Sequence, residues 1–160
     1  CGLKDIRQLM PSVPDRVLSP KPESALVQSL PDALRSRQMV FARTGGIHGA
    51  AIFQPDGGFI WMDEDVGRHN ALDKVIGHSI RTDPSLLLGA IAVVSGRIGF
   101  ELVQKALMTG LGSLVGVGAA SSLAHELANE YALHLFSFAK TRSVNYHFCD
   151  STNLGLPTTP

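Results

Sequence analysis

The sequence predicts an α/β domain, a largely parallel sheet covered by helices. Three observations predict it. "LGAIAVVSG" (88–96) is a continuous apolar run of the kind a strand shows when both faces are buried. A helical stretch over 98–110 follows it and leads to a second apolar strand, "SLVGVGA" (113–119). A Ser-started helix then runs to about 133, before "HLFSFA" (134–139) and "SVNYHF" (143–148). Strand–helix alternation of this kind requires crossover connections and hence parallel pairing. With 160 residues, 44% of them hydrophobic, the chain suits one domain with a substantial core.

The elements follow in order. Residues 1–23 hold Pro11, Pro14, Pro20 and Pro22 and read as a helical turn near 3–10 and an extended linker. Residues 24–149 read as the folded domain and the Pro/Thr-rich 150–160 as a loose tail. Apolar residues at 26, 30, 34, 39, 40 and 41 give roughly helical spacing over 24–42, with Pro31 marking a break or a new first turn. "TGGIHGAAIF" (44–53) turns through two glycines into a strand, and "PDGG" joins it to a second strand at 57–65 in a hairpin. A helix is expected from about 67 to 82, ended on its far side by the buried strand. Gly110 closes the next helix, and Ser121 or Ser122 caps the last.

Composition removes some function classes. Lys plus Arg and Asp plus Glu are equal at 14 each, so no basic excess supports nucleic-acid binding. The longest apolar run, 85–94, is about half what a membrane helix needs, so no membrane partner is expected. Two distant cysteines, Cys1 and Cys149, do not make a disulfide framework and fit a reducing, cytoplasmic setting. The sequence opens at Cys1 without Met or a signal-peptide pattern, which reads as a fragment, a processed chain or missing upstream residues.

Several stretches carry chemistry. "EDVGRHNALDKVIG" (64–77) gathers Glu64, Asp65, Arg68, His69, Asn70, Asp73 and Lys74 in a chain with only 18% charged residues. On a helix, His69 and Asp73 lie one turn apart and would hydrogen-bond, and Asn70 and Lys74 share the neighbouring stripe. Arg68 falls in the first turn, where free backbone N–H groups also face outward. This is either a solvated helix face with two ion pairs or the wall of a site for a polar, anionic ligand. In "VVSGRIGFE" (93–101), Ser95, Gly96 and Arg97 stand where a strand gives way to a helix, a generic anion-binding geometry. It lacks both the Walker lysine and the three-glycine fingerprint, and an ordinary βα turn reads the same. Glu101 and Lys105 read as a structural i,i+4 pair. In "TGGIHGA" (44–50), Gly45 and Gly46 permit close backbone approach, and His48 follows. A zinc deaminase would carry His-x-Glu and a later Cys pair; His48-Gly49-Ala50 lacks the carboxylate, no Cys pair follows, and no metal site is expected. His125 and Glu126, in the last helix, read as surface residues. "FAKTRSVNYH" (138–147) sets Lys140 and Arg142 in a hairpin turn, able to grip phosphate or simply solvated. Cys1, beside Gly2, Lys4 and Arg7, is placed to be a nucleophilic thiolate, whereas Cys149 reads as packing.

Taken in order, "CG" (1–2), "TGGIHGAAI", "EDVGRHNALDKVIG", "SGRIGFELVQKAL", "SSLAHELA" and "FSFAKTRSVNYH" resemble the formate dehydrogenase accessory sulfurtransferase family (FdhD), over residues 1 to about 148. The resemblance implies a three-layer αβα sandwich like that of cytidine deaminases. It implies a sulfur carrier: a cysteine desulfurase loads a loop cysteine with sulfane sulfur. That sulfur then goes to a molybdenum (or tungsten) bis(molybdopterin guanine dinucleotide), bound transiently, before the cofactor enters the formate dehydrogenase catalytic subunit. The family's loop reads Cys-Gly-x-Cys-Gly. Gly2 and Ile6 fit Cys1 as its second cysteine; as the first, Cys1 would have Lys4 in place of its partner. In either register Cys1 is the candidate catalytic residue. The resemblance also places the cofactor-binding segment on Phe138, Ala139, Lys140, Thr141, Arg142 and Ser143. To these are added Gly45, Gly46, His48, Asp65, Arg68, His69, Asn70, Ser95, Gly96 and Arg97. This sequence has Gly99 where the family usually has Ser, and Ala139-Lys140-Thr141-Arg142 where it typically has an arginine and glycines. A homodimer is consistent with such folds, whose ligand sites often use neighbouring subunits.

Overall fold

The computed structural model describes residues 19–147. The turn expected near 3–10, Cys1, Cys149 and the 150–160 tail lie outside the described residues.

Helix α1 (Ser24–Arg35) forms because Val27, Leu30 and Leu34 fall on one stripe, and all three are at most 2% exposed. Pro31 does not break it. The proline lacks the N–H that would reach the Val27 carbonyl, but it is itself buried on the apolar stripe. Burial of that stripe against the sheet outweighs one missing bond. The break comes later, at Ser36–Gln38, before the short α2 (Met39–Thr44). Gly45, at φ 67°, closes α2 by donating its N–H to the Phe41 carbonyl at 2.8 Å.

Strands β1 (His48–Phe53) and β2 (Phe59–Asp65) form the expected hairpin, with Gly57 at φ 92° in the turn. After α3 (Arg68–Thr82) and a 3-10 turn (Pro84–Leu87) come β3 (Ile91–Val94), α4 (Phe100–Met108), β4 (Ser113–Gly116), α5 (Ser122–Glu130), β5 (His134–Lys140) and β6 (Ser143–His147). Ser121 caps α5, its Oγ accepting from the Ala124 N–H at 3.2 Å. The sheet order is β2-β1-β3-β4-β5-β6. Its centre, β3-β4-β5, is parallel as expected, and antiparallel pairs flank it on both sides.

Alternate residues of β1, β3, β4 and β5 serve two cores. Ala50, Ile52, Ala92, Val94, Leu114 and Leu135 meet the apolar faces of α3, α4 and α5. Ala51, Phe53, Ile91, Val93, Val115 and Phe136 meet α1. The result is three layers, helix–sheet–helix, as expected.

This topology sets the position of the site. The parallel strands all end at one edge of the sheet, at Ser95, Val117 and Lys140. Strand β1 runs antiparallel to β3, so its first residue, His48, lies at that same edge. The described chain enters at the opposite edge. There the Ser19 carbonyl is 2.9 Å from His134 Nε2 and Ser19 packs beside Gly89 and Gly112.

Candidate functional site

A cavity of about 760 Å³ opens at the carboxyl edge of the parallel strands, between α1, α2 and the sheet. This is where open α/β sheets usually bind ligands. Its lining brings together Gly45, Gly46, His48, Ser95, Ala139, Lys140 and Thr141, seven of the residues expected from sequence. Each arrives for a local reason. Gly45 and Gly46 are the turn from α2 into β1. Ser95 follows β3 and its Oγ accepts from the Gly49 N–H at 2.9 Å, while Ser95 N–H donates to the Gly49 carbonyl at 2.9 Å. Those paired bonds hold the mouth of β1 against β3.

Lys140 is aimed by a bulge. The pairing of β5 with β6 shifts between Ser137 and Lys140, and Phe138 takes φ 50° with its N–H on the Gly118 carbonyl at 3.0 Å. A bulge re-aims side chains locally. Here Ala139 is buried while Phe138 and Lys140 are exposed. Thr141 donates to Asp32 Oδ2 at 2.8 Å, tying the turn to α1. Arg142 and Ser143 are exposed in the turn beyond and do not line the cavity.

Arg68 and Arg97 line a second, smaller cavity of about 310 Å³, with Gly99 and Ser121 at the starts of α4 and α5. Neither guanidinium has a carboxylate partner among the described residues. Arg68 Nε is buried without a hydrogen-bond partner. Gly96 lines neither cavity but lies between a side chain of each. A Cβ there would lie 3.3 Å from His48 Nδ1 and 3.5 Å from Arg68 Cδ, so both side chains pack over this glycine.

The charged stretch 64–74 behaves differently. Lys74 lies 2.9 Å from Asp65 and 3.7 Å from Asp63, and also donates to the Glu64 carbonyl at 2.9 Å. Asp65 also accepts from the Gly67 N–H at 2.9 Å and from Asn70 at 3.1 Å. These donors, Gly67 first and Lys74 next, hold the Asp65 carboxyl at about 2, below the usual 3.8. Asp65 and Asn70 are thus spent on the start of α3.

Two expected pairs are corrected. Asp73 does not bond His69; Lys105 of α4 reaches it instead. Lys105 therefore does not pair with Glu101, which lies 3.9 Å from His69 Nε2. A lysine ammonium on a neighbouring helix that reaches the carboxylate directly forms a charge-assisted hydrogen bond, which is among the stronger kinds. Glu126 is exposed as expected, and His125 is half-buried: its ring meets His147 edge-on at 5.3 Å, and Asn129 Nδ2 is 3.1 Å from its Nε2.

Sequence reasoning missed Gln38 and Phe41, and named Glu64 without its role. Gln38 and Phe41 line the larger cavity. Glu64 caps α2 across the chain, its two oxygens accepting from the Val40 and Phe41 N–H groups at 2.8 Å each. The run "RQMVFARTGG" carries a polar residue before an apolar turn, which is the only signal the sequence offers for Gln38. No group of three or more His, Cys, Asp or Glu among the described residues could hold a metal, and no helix among them is long and apolar enough to cross a membrane.

Fold and site together define a three-layer α/β domain with a preformed cavity, rimmed by His48, Ser95 and Lys140, at the carboxyl edge of its parallel strands. The family model for the FdhD/NarQ family matches residues 1–151, and the chain belongs to that family. It is 41% identical over 147 residues to the sulfur carrier protein FdhD of Corynebacterium efficiens, covering 92% of this chain and 53% of that one. It is 48% identical over 121 residues to the sulfur carrier protein FdhD of Mycobacterium tuberculosis, covering 76% and 44%. The chain thus spans about half the length of these curated relatives. A crystal structure described as a formate dehydrogenase accessory protein from Desulfotalea psychrophila superposes with TM-score 0.71 at 24% identity, over 81% of this chain and 57% of that one. That likeness bears out the fold.

Proposed function

We propose that this chain is the cofactor-binding part of a sulfur carrier. A cysteine desulfurase loads the loop thiol with sulfane sulfur. The carrier then delivers that sulfur to a molybdenum (or tungsten) bis-guanine-dinucleotide cargo bound in the cavity, before the cargo enters formate dehydrogenase. The observation that carries the reading is the gathering of His48, Ser95, Lys140 and Thr141 around one cavity in a chain of this family.

The chemistry of loading asks little of the fold. The Cys1 thiolate attacks the outer sulfur of the desulfurase persulfide, a new S–S bond forms on Cys1, and the desulfurase cysteine leaves as thiolate. Electrons balance within that exchange, and a reducing cytoplasm supplies the free thiol it needs. The cargo's phosphates would find Lys140 at the turn and Arg68 and Arg97 in the adjoining cavity, while the apolar lining of Leu34, Phe41, Ile47 and Val117 suits a flat ring system. Asp32, on the same rim, accepts from Thr141 and works against the anion, so Lys140 must outweigh it.

Ser19 lies at the sheet edge opposite the cavity, and the covalent chain from Cys1 to Ser19 spans at most roughly 60 Å when fully extended.

The test is persulfide mass spectrometry on the full-length protein after incubation with a cysteine desulfurase and cysteine. We expect a gain of one sulfur on Cys1 or on its neighbouring loop cysteine. No gain with both loop cysteines present overturns the reading. A second reading, a nucleotide-binding chaperone without sulfur chemistry, is favoured by the cavity's being built entirely from residues remote from Cys1 in sequence. Full rescue of formate dehydrogenase by Cys1→Ser, with nucleotide binding retained, would select it.

A further inference from the structure

Gln38 occupies the N-cap position of α2, where a side chain ordinarily accepts from the first free N–H groups. It makes no such bond, because Glu64 already holds the Val40 and Phe41 N–H groups from across the hairpin. The freed carboxamide is nonetheless 97% buried, since Gln38 is only 3% exposed. Its Nε2 is sealed with no hydrogen-bond partner. It fills the space beside Gly49, where a Cβ would come within 2.6 Å of Nε2 and 2.8 Å of Cδ. The same residue lines the large cavity beside Phe41, His48 and Ser95.

A buried amide without a partner is costly, and native structures that keep one usually have a use for it. We propose that Gln38 is the base-reading residue of this cavity. Its carboxamide holds a donor and an acceptor side by side, matching a purine edge with an acceptor next to a donor, such as the lactam edge of guanine. The last torsion of a glutamine is soft, so the N–H turns from Gly49 to the ligand on binding. Gly49 supplies the clearance for that turn. The phosphates then point outward, to Lys140. This deepens the nucleotide reading given above and rests on it.

The test is calorimetric titration of the full-length protein with guanosine diphosphate and, separately, inorganic pyrophosphate. Gln38→Met keeps the side chain's length and removes both polar atoms. We expect its guanosine diphosphate affinity to fall about 10-fold or more, its pyrophosphate affinity to stay unchanged, and the free variant to melt no lower than the wild type. Gly49→Ala, which fills the clearance, is expected to weaken guanosine diphosphate in the same way. Unchanged guanosine diphosphate affinity in Gln38→Met overturns the inference. So does a lower melting temperature of that free variant, since the amide would then be serving the fold, and so does a parallel loss of pyrophosphate. A wild-type protein that takes pyrophosphate but not guanosine diphosphate sinks the base-reading role alone. One that takes neither sinks the nucleotide reading and this role with it.

Discussion

Two polar clusters flank the hairpin of β1 and β2, and they differ in how their groups are used. At the start of α3, Asp65, Asn70 and Lys74 bind one another, and Asp73 binds Lys105 across to α4. At the carboxyl edge of the sheet, Gln38 has a sealed, unpaired nitrogen and Lys140 stands exposed on the rim. The first cluster is dense in charge, and its Asp65, Asn70, Asp73 and Lys74 are paired, leaving Arg68 Nε and His69 Nε2 without hydrogen-bond partners. The second is sparse in charge and left open toward a cavity. The carboxylates and Lys74 of the dense stretch therefore form a brace, and the unspent groups, Arg68 among them, mark the cavities.

The contrast can be broken most severely through the wall the cavity shares with the core. Leu34 is 1% exposed and lines the cavity from α1. Leu34→Ala is expected to lower unfolding free energy by about 2–5 kcal/mol, read by urea denaturation, and to loosen ligand binding with it. If stability is unchanged, α1 is not the prop described here.

Lys140→Ala should separate the two properties. It is expected to reduce guanosine diphosphate affinity about 10-fold or more, as the loss of a hydrogen bond to a charged group would, with no change in denaturation midpoint. Calorimetry beside a melt decides it; equal affinity would remove Lys140 from the site.

The brace should show itself in acid. Asp65 has its folded value lowered to about 2 against an ordinary 3.8. The unfolded chain therefore takes up its proton first, and the stabilisation is complete above 3.8 and disappears as pH falls toward 2. Asp65→Asn should flatten that acid limb in denaturation curves recorded from about pH 5 downward, while leaving nucleotide affinity at neutral pH alone. A limb as steep as the wild type's would place the acid sensitivity elsewhere.

The smallest effect belongs to Lys74. Lys74 is itself exposed, though Asp65 is half-buried, and ion pairs with an exposed partner contribute little and fade with salt. Lys74→Met is expected to lower the melting temperature slightly in low salt, less in high salt, and to leave binding untouched. A drop in binding larger than the drop in stability would put the brace inside the site after all.

Much of this was readable in the linear chain. The strands β3, β4 and β5 show as apolar runs because both of their faces are buried, and α4 and α5 show as periodic stretches with Gly and Ser at their ends. Gly45, Gly46, His48, Ser95 and Lys140 could be picked out because glycine turns and basic hairpins have local chemical meaning. Pro31 misled because its local cost is visible in sequence, while the burial of Val27, Leu30 and Leu34 that overrides it is not. The partners of Asp73 and Glu101 misled for the same reason, since helical spacing names neighbours within one helix and says nothing of the next.

What the sequence determined alone was the set of elements and the parallel centre of the sheet, since hydrophobic period and strand–helix alternation are local properties of the chain. What only the tertiary structure decided was which polar groups remain free. Gln38 is unspent because Glu64, on a strand 26 positions further along, takes over its capping task, and because residue 49 has no side chain to displace it. A hydrogen bond consumes its partners wherever the fold brings them together, so availability for a ligand is a property of the folded molecule.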